Sequence, residues 1–130
     1  MRSVNKIILV GQVAADPEVR QTAKGTTVAT FPVVTERDFT SNGELKKVTD
    51  FHRVVAWGNL GDICGKYLEK GKAVYVEGML LNRAYEKDGE RRYITEIRAD
   101  EINMLSYKKR HDDRGESVGI HPVDAVGEGS

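Results

Sequence analysis

Phe51, Arg53 and Trp57 stand at even spacing within Thr49-Asp50-Phe51-His52-Arg53-Val54-Val55-Ala56-Trp57-Gly58. The β-branched and aromatic residues of this stretch, closed by a glycine, predict a strand. Side chains on a strand alternate between faces. One face therefore carries Phe51, Arg53, Val55 and Trp57, and the other Asp50, His52, Val54 and Ala56. A buried face does not keep an unpaired Arg53, and a merely solvated face has no use for Trp57. Two rings flanking a guanidinium suit one kind of chemistry, the stacking of planar groups. His52 faces the other way, where a packing role is expected. Asp50, His52 and Cys64 do not read as a nucleophile–base set, because Cys64 falls on the apolar stripe of a short helix. A single cysteine leaves no zinc-ligand spacing, and Gly11, Gly58, Gly71 and Gly78 are turn residues without phosphate-loop spacing. No catalytic residue, metal or cofactor is expected.

The elements that must hold this face belong to a chain of 130 residues, the size of one ordinary domain. Its hydrophobic fraction of 39% and charged fraction of 31% describe a soluble protein with a modest core. No stretch approaches the roughly 20 apolar residues that span a bilayer, and the start lacks the pattern of a signal peptide. With Cys64 alone no internal disulfide forms, which points to a reducing cytoplasm. Formal net charge is zero, but it is unevenly placed: residues 1–110 carry a balance of +4 and residues 111–130 a balance of −4. A mildly basic body with an acidic tail is compatible with a polyanionic partner.

In chain order, Asn5–Val13 predicts a first strand, apolar on both faces, as in a barrel or at a subunit contact. Asp16-Pro17 and Lys24-Gly25 predict turns. Thr26–Thr35 predicts a second strand, in which Pro32 implies an edge or a bulge. Glu36–Lys47 contains Asn42-Gly43, a hairpin signal, and leads into the opening stretch as the third strand. Leu60, Ile63, Cys64, Tyr67 and Leu68 recur at helical spacing, so Asn59–Lys70 predicts a short helix capped by Asn59 and stopped by Gly71. Lys72–Leu81 predicts a fourth strand, Arg83–Arg92 a polar hairpin turning at Asp88-Gly89, and Tyr93–Leu105 a last strand. The expectation is one all-β domain over residues 1–106, followed by a flexible, disordered acidic tail over residues 107–130. Five strands with one short helix between strands 3 and 4 match the five-stranded Greek-key OB-fold barrel, which binds single strands across its second and third strands.

The residues also resemble a family, the bacterial single-stranded-DNA-binding proteins. The resemblance spans roughly residues 4–106 and is carried by Val4-Asn5-Lys6-Ile7-Ile8-Leu9-Val10-Gly11, Asp16-Pro17-Glu18-Val19-Arg20, Phe51-His52-Arg53-Val54-Val55-Ala56-Trp57-Gly58, Tyr67-Leu68-Glu69-Lys70-Gly71 and Val74-Tyr75-Val76-Glu77-Gly78. It implies that Phe51, Trp57 and Tyr85 stack on bases, that Arg53 faces the strand, and that Lys70 and Arg83 contact phosphates. A further aromatic is common in the hairpin before the third strand, where Arg37 falls, with Phe39 two residues on; either is a candidate. Lys46 and Lys47 are further candidate cations. The resemblance implies a homotetramer, with Ile7, Leu9 and His52 at the interface. Family members usually end in an acidic, phenylalanine-tipped tail that recruits replication and repair proteins; residues 126–130 carry no aromatic.

The expected activity is sequence-independent binding of single-stranded DNA, in a cytoplasmic, nucleoid-associated protein serving replication, recombination and repair. Neither enzymatic activity nor a membrane partner is expected. Two other readings share the fold: a primosomal-type OB protein whose surface mainly holds replication proteins, and an RNA-binding OB domain.

Overall fold

In the computed structural model, which describes residues 1–106, six strands and one helix form the chain: β1 (Ile7–Val13), β2 (Glu18–Gln21), β3 (Thr27–Ser41), β4 (Glu44–Trp57), α1 (Asn59–Tyr67), β5 (Ala73–Lys87) and β6 (Glu90–Met104). Sheet order is β1-β5-β6-β4-β3-β2, and β1 pairs again with β3 through Gln12 and Val13, closing a barrel. All neighbours run antiparallel except β4 and β6, which meet in parallel at Val54–Ile97 and Val55–Arg98. Leaving aside the short β2, five long strands close the barrel and the helix lies between the third and fourth, as the sequence implies. The expected tail, residues 107–130, lies outside the described residues. Among the described residues no helix is long and apolar enough to cross a membrane.

The core follows from strand alternation. Phe31, Val33, Val54, Ala56, Val74, Val76, Ile97 and Ile102 point inward and are almost fully buried. The helix seals one end, with Cys64 buried and Leu60 and Ile63 packed against the core. It starts one residue earlier than a cap at Asn59 requires: Asn59 is already helical, and Gly58 occupies the cap position without a side-chain bond. The helix ends at Tyr67, short of the expected Lys70. Burial, with no charged neighbour to oppose it, pushes the Cys64 thiol up to about 12, so it remains an inert packing group.

Three local features differ from the sequence expectation. β2 is a strand where only turns were expected, because all four of its side chains are exposed and leave no apolar alternation to read. The two hairpins turn where expected, but their arms continue the strands well beyond the expected strand bounds. β3 and β4 stay in register from Val28–Trp57 out to Ser41–Glu44, and β5 and β6 out to Lys87–Glu90. Each ribbon closes through two residues with positive φ, 53° and 79° at Asn42-Gly43 and 54° and 78° at Asp88-Gly89. Those values suit the tight turn whose twist matches paired strands. Pro32 produces neither a bulge in the β3–β4 register nor an outer edge. Its carbonyl accepts from the Ala14 amide on the side away from β4. Its missing donor therefore falls where β3 passes from β2, whose first residue Glu18 faces Thr30, to β1, whose last residue Val13 faces Val33.

β1 separates the two roles assigned to its apolar residues. Ile7 and Leu9, expected at a subunit contact, turn inward and pack on the core. Ile8 and Val10 are the side chains left outside, 57% and 59% exposed. The pleat decides this: Ile7, Leu9 and Gly11 share the face that closes on the barrel.

Candidate nucleic-acid interface

The alternation of β4 survives folding. Phe51 is 69% and Trp57 42% exposed, Arg53 is exposed between them, and Val54 and Ala56 are buried behind them. Val55 shares the outer face but is covered. His52 points inward, half-buried, with Nε2 2.7 Å from Thr35 Oγ1.

Neighbouring strands complete a groove over this face. A concavity of about 540 Å³ is bounded by Arg20 of β2, Val28 and Thr30 of β3, Arg53 and Trp57 of β4, Leu81 and Arg83 of β5, and Glu96 and Arg98 of β6, among others. A second one, of about 460 Å³, continues past Phe51 and Arg53 to Asp16, Glu18 and Pro32. Arg53 Nε donates to Glu96 Oε2 at 2.7 Å. Arg83 forks onto the same carboxylate, Nε to Oε1 and Nη2 to Oε2, both at 3.2 Å. The parallel pairing of Val55 with Arg98 brings Glu96 level with Arg53, two residues back on each strand. Burial alone would raise the Glu96 carboxyl, but hydrogen bonds from Arg83 and Arg53 outweigh it and hold the group below the usual carboxylate range. Arg98 lies over the Trp57 ring.

The remaining candidates fall in three places. Tyr85, exposed on the β5–β6 ribbon opposite Arg92, follows Leu81 and Arg83 on the groove face. Lys47 shares the Phe51 face by pleat parity, and pairs with Glu36 at 3.3 Å. Arg37, Phe39 and Lys46 lie on the opposite face of the β3–β4 ribbon, with Phe39 directly across from Lys46 and Arg37 bonded to Asp50 at 3.0 Å. Lys70 sits beyond the helix, exposed, its backbone amide bonded to Asp16 Oδ1 at 2.9 Å. The register thus unites Phe51, Arg53, Trp57, Arg83 and Tyr85, with Lys47 on the same side, and separates Arg37, Phe39 and Lys46 from them.

Arg20, Glu96 and Arg98 were not singled out from the sequence. Glu96 and Arg98 could have been: counting back from a two-residue turn at Asp88-Gly89 pairs Leu81 with Glu96 and Met79 with Arg98. For Arg20 no alternation marks its strand.

Chemically, the groove offers ring faces for bases and guanidinium groups for phosphates. Among the described residues no cluster of His, Cys, Asp and Glu is arranged to hold a metal ion.

Comparison with known proteins agrees with this geometry. The family model described as "Single-strand binding protein family" matches residues 4–105. "Single-stranded DNA-binding protein 1" of Chlorobaculum tepidum is 44% identical over 110 residues, which cover 82% of this chain and 68% of that protein. Among solved structures, the Plasmodium falciparum SSB in complex with ssDNA superposes with a TM-score of 0.76 at 36% identity, covering 82% of this chain and 98% of that one. A deletion mutant of the single-stranded DNA binding protein from Thermus aquaticus gives 0.72 at 34%, covering 79% and 51%. With a groove of that character on a barrel of that topology, and these matches over nearly all the described residues, the chain belongs to the single-strand binding protein family.

Proposed function

We propose that this protein binds single-stranded DNA without regard to sequence and shields it during replication, recombination and repair. The observation that carries the reading is the exposure of Phe51, Trp57 and Tyr85 along one groove face that also holds Arg53, Arg83 and Arg98. Every base offers a flat face, so stacking on aromatics is indifferent to sequence and contributes about 1–3 kcal/mol per base. Phosphates then fall to the arginines, with Lys47 and Lys70 further along the path. Membership of a family of DNA-binding proteins supports a binding rather than an enzymatic role. A solved complex of a relative with ssDNA supports DNA over RNA as the ligand.

Assembly into a homotetramer accompanies this reading. Ile8 and Val10 are exposed side by side with Tyr75 and Glu77, their partners on β5. On β6, opposite Tyr75, Asn103 is buried with its Oδ1 lacking a hydrogen-bond partner. Two exposed apolar side chains beside an orphaned acceptor are well suited to a second copy that covers the former and satisfies the latter. Cytoplasmic residence with the nucleoid follows from the ligand and fits the reduced, buried Cys64.

The test is titration with oligo(dT) at low salt, followed by Trp57 fluorescence, with mass measured in parallel. Quenching to a stoichiometric end point is expected, weakening with salt by about 0.7 in log K per log salt for each phosphate neutralised. A folded protein showing no quenching and no DNA-dependent shift in mass would remove the reading.

A further inference from the structure

Glu96 is the sole carboxylate among the residues lining the central groove. A surface that receives phosphates has no direct use for an anion, which repels them. Glu96 is nevertheless the most buried charged side chain there, 11% exposed where Arg53 and Arg83 are 40% and 50%. Both its oxygens are engaged, Oε2 by two arginines at once. The arginines are not used up by it. Arg53 gives it one N–H and Arg83 two, so most of each guanidinium's donors remain for another acceptor.

We propose that Glu96 is a positioning residue for DNA binding: its carboxylate holds Arg53 and Arg83 side by side before the strand arrives, stays bonded to them while it is bound, and sets the charge this pair shows the strand to one rather than two. The assignment rests on the single-strand reading above. Two effects follow, of opposite sign. Arginine side chains lose considerable rotamer freedom when fixed, and the clamp removes that cost from the binding step. The same carboxylate cancels one positive charge and so lowers the number of counterions released from the DNA.

The opposing signs make the assignment testable by salt dependence. Glu96→Gln keeps the size but offers one acceptor and one donor in place of two acceptors, so one arginine loses its partner and the groove gains a charge. Against oligo(dT), its plot of log K against log salt should be steeper than that of the unaltered protein by about 0.7. The two lines should cross, the variant being tighter at low salt and about tenfold weaker near 1 M, where release of counterions no longer contributes. Glu96→Asp keeps the charge but withdraws it by one methylene; it should give a line of unchanged slope lying below the unaltered protein throughout. A purely structural role would lower the Glu96→Gln line without steepening it, and would overturn the assignment, as would a line superposed on that of the unaltered protein. If Glu96→Gln fails to fold by circular dichroism, Glu96→Asp is read together with its melting temperature: a parallel lower line at an unchanged melting temperature supports positioning, and a superposed line, or a lower line with an equally lowered melting temperature, overturns it. Failure of the unaltered protein to bind oligo(dT) at low salt is a different result, removing the single-strand reading and this assignment with it.

Discussion

The guanidinium carbon of Arg98 lies 5.9 Å from the centroid of the Trp57 ring. The two residues come from strands that run parallel, β6 and β4, and meet because Val55 pairs with Arg98 two residues before Trp57. A cation over an indole is attracted by the ring's negative face. It also limits where the ring can turn, as the proposed stacking of a base on Trp57 would require.

Trp57 and Arg98 should therefore act together. Trp57→Ala is expected to weaken oligo(dT) binding by about 1–3 kcal/mol with little change in melting temperature, since the ring is already half in solvent. Arg98→Ala should shift the emission of Trp57 in the free protein before any DNA is added. An unchanged emission spectrum would mean that the cation does not order the ring.

Phe51 and Phe31 offer a contrast within one sheet. Phe51 is exposed and Phe31 is fully buried. Phe51→Ala should cost binding about 1–3 kcal/mol and stability little. Phe31→Ala should cost stability about 3–5 kcal/mol through the lost burial and the cavity left behind. Denaturant melts paired with oligo(dT) titrations separate the two.

Gly61→Ala tests how closely α1 sits on the sheet. An added Cβ would lie 2.7 Å from the Ala56 carbonyl oxygen and 3.2 Å from that of Thr27. Alanine is the better helix former by about 1 kcal/mol, but both obstacles are backbone atoms that cannot swing aside. Overpacking of this kind costs about 1–3 kcal/mol, so a net loss of stability is expected in a thermal melt. A rise in melting temperature would show that the helix can lift off the barrel.

Acid should weaken the fold partly through Glu96. Its carboxyl is held below the ordinary range in the folded chain, so its contribution is fully present above the unfolded value near pH 4. That contribution is lost as pH falls through the lower, folded value. Melting temperature followed from pH 6 to pH 2 should fall less steeply for Glu96→Gln than for the unaltered protein. Parallel curves would assign the acid sensitivity to other carboxylates.

Ile8 and Leu9 are adjacent yet should fail differently. Ile8→Lys places a charge on the exposed face beside Val10 and is expected to lower the mass in solution while leaving the monomer folded. Leu9→Ala removes packing from the core side and should lower stability instead. Sedimentation at several concentrations, alongside melts, reads both effects.

The exposed face of β4 and the barrel order were legible because each leaves a local pattern. Alternation exposes Phe51 and Trp57 and hides Val54 and Ala56, and the change to helical spacing after Gly58 marks α1. The inward turn of Ile7 and Leu9 was not legible, since β1 is apolar on both faces and parity alone does not say which one closes. Nor was the clamp on Arg53. The turn at Asp88-Gly89 sets Glu96 against Leu81, but only the parallel contact of β6 with β4 carries it to Arg53, and no short-range signal encodes that pairing. The position of Pro32 fooled a sound rule for a related reason: proline was expected to mark an edge or a bulge, and instead it fills the gap where β3 changes partners.

The two ribbons that β3–β4 and β5–β6 extend past the barrel have a kinetic meaning. A lone two-stranded ribbon is marginal in water, and the side chains near both turns are exposed. Amides near Thr40 or Glu86 should thus exchange by local fraying, at a fraction of the free energy needed to open Val54 or Val76. Contacts of the kind proposed for Tyr85 would sit on parts that can let go separately while the floor of the groove stays intact. If the strand reaches the ribbons, its contacts there are the first to be released, and handing it over does not require the whole complex to fall apart at once.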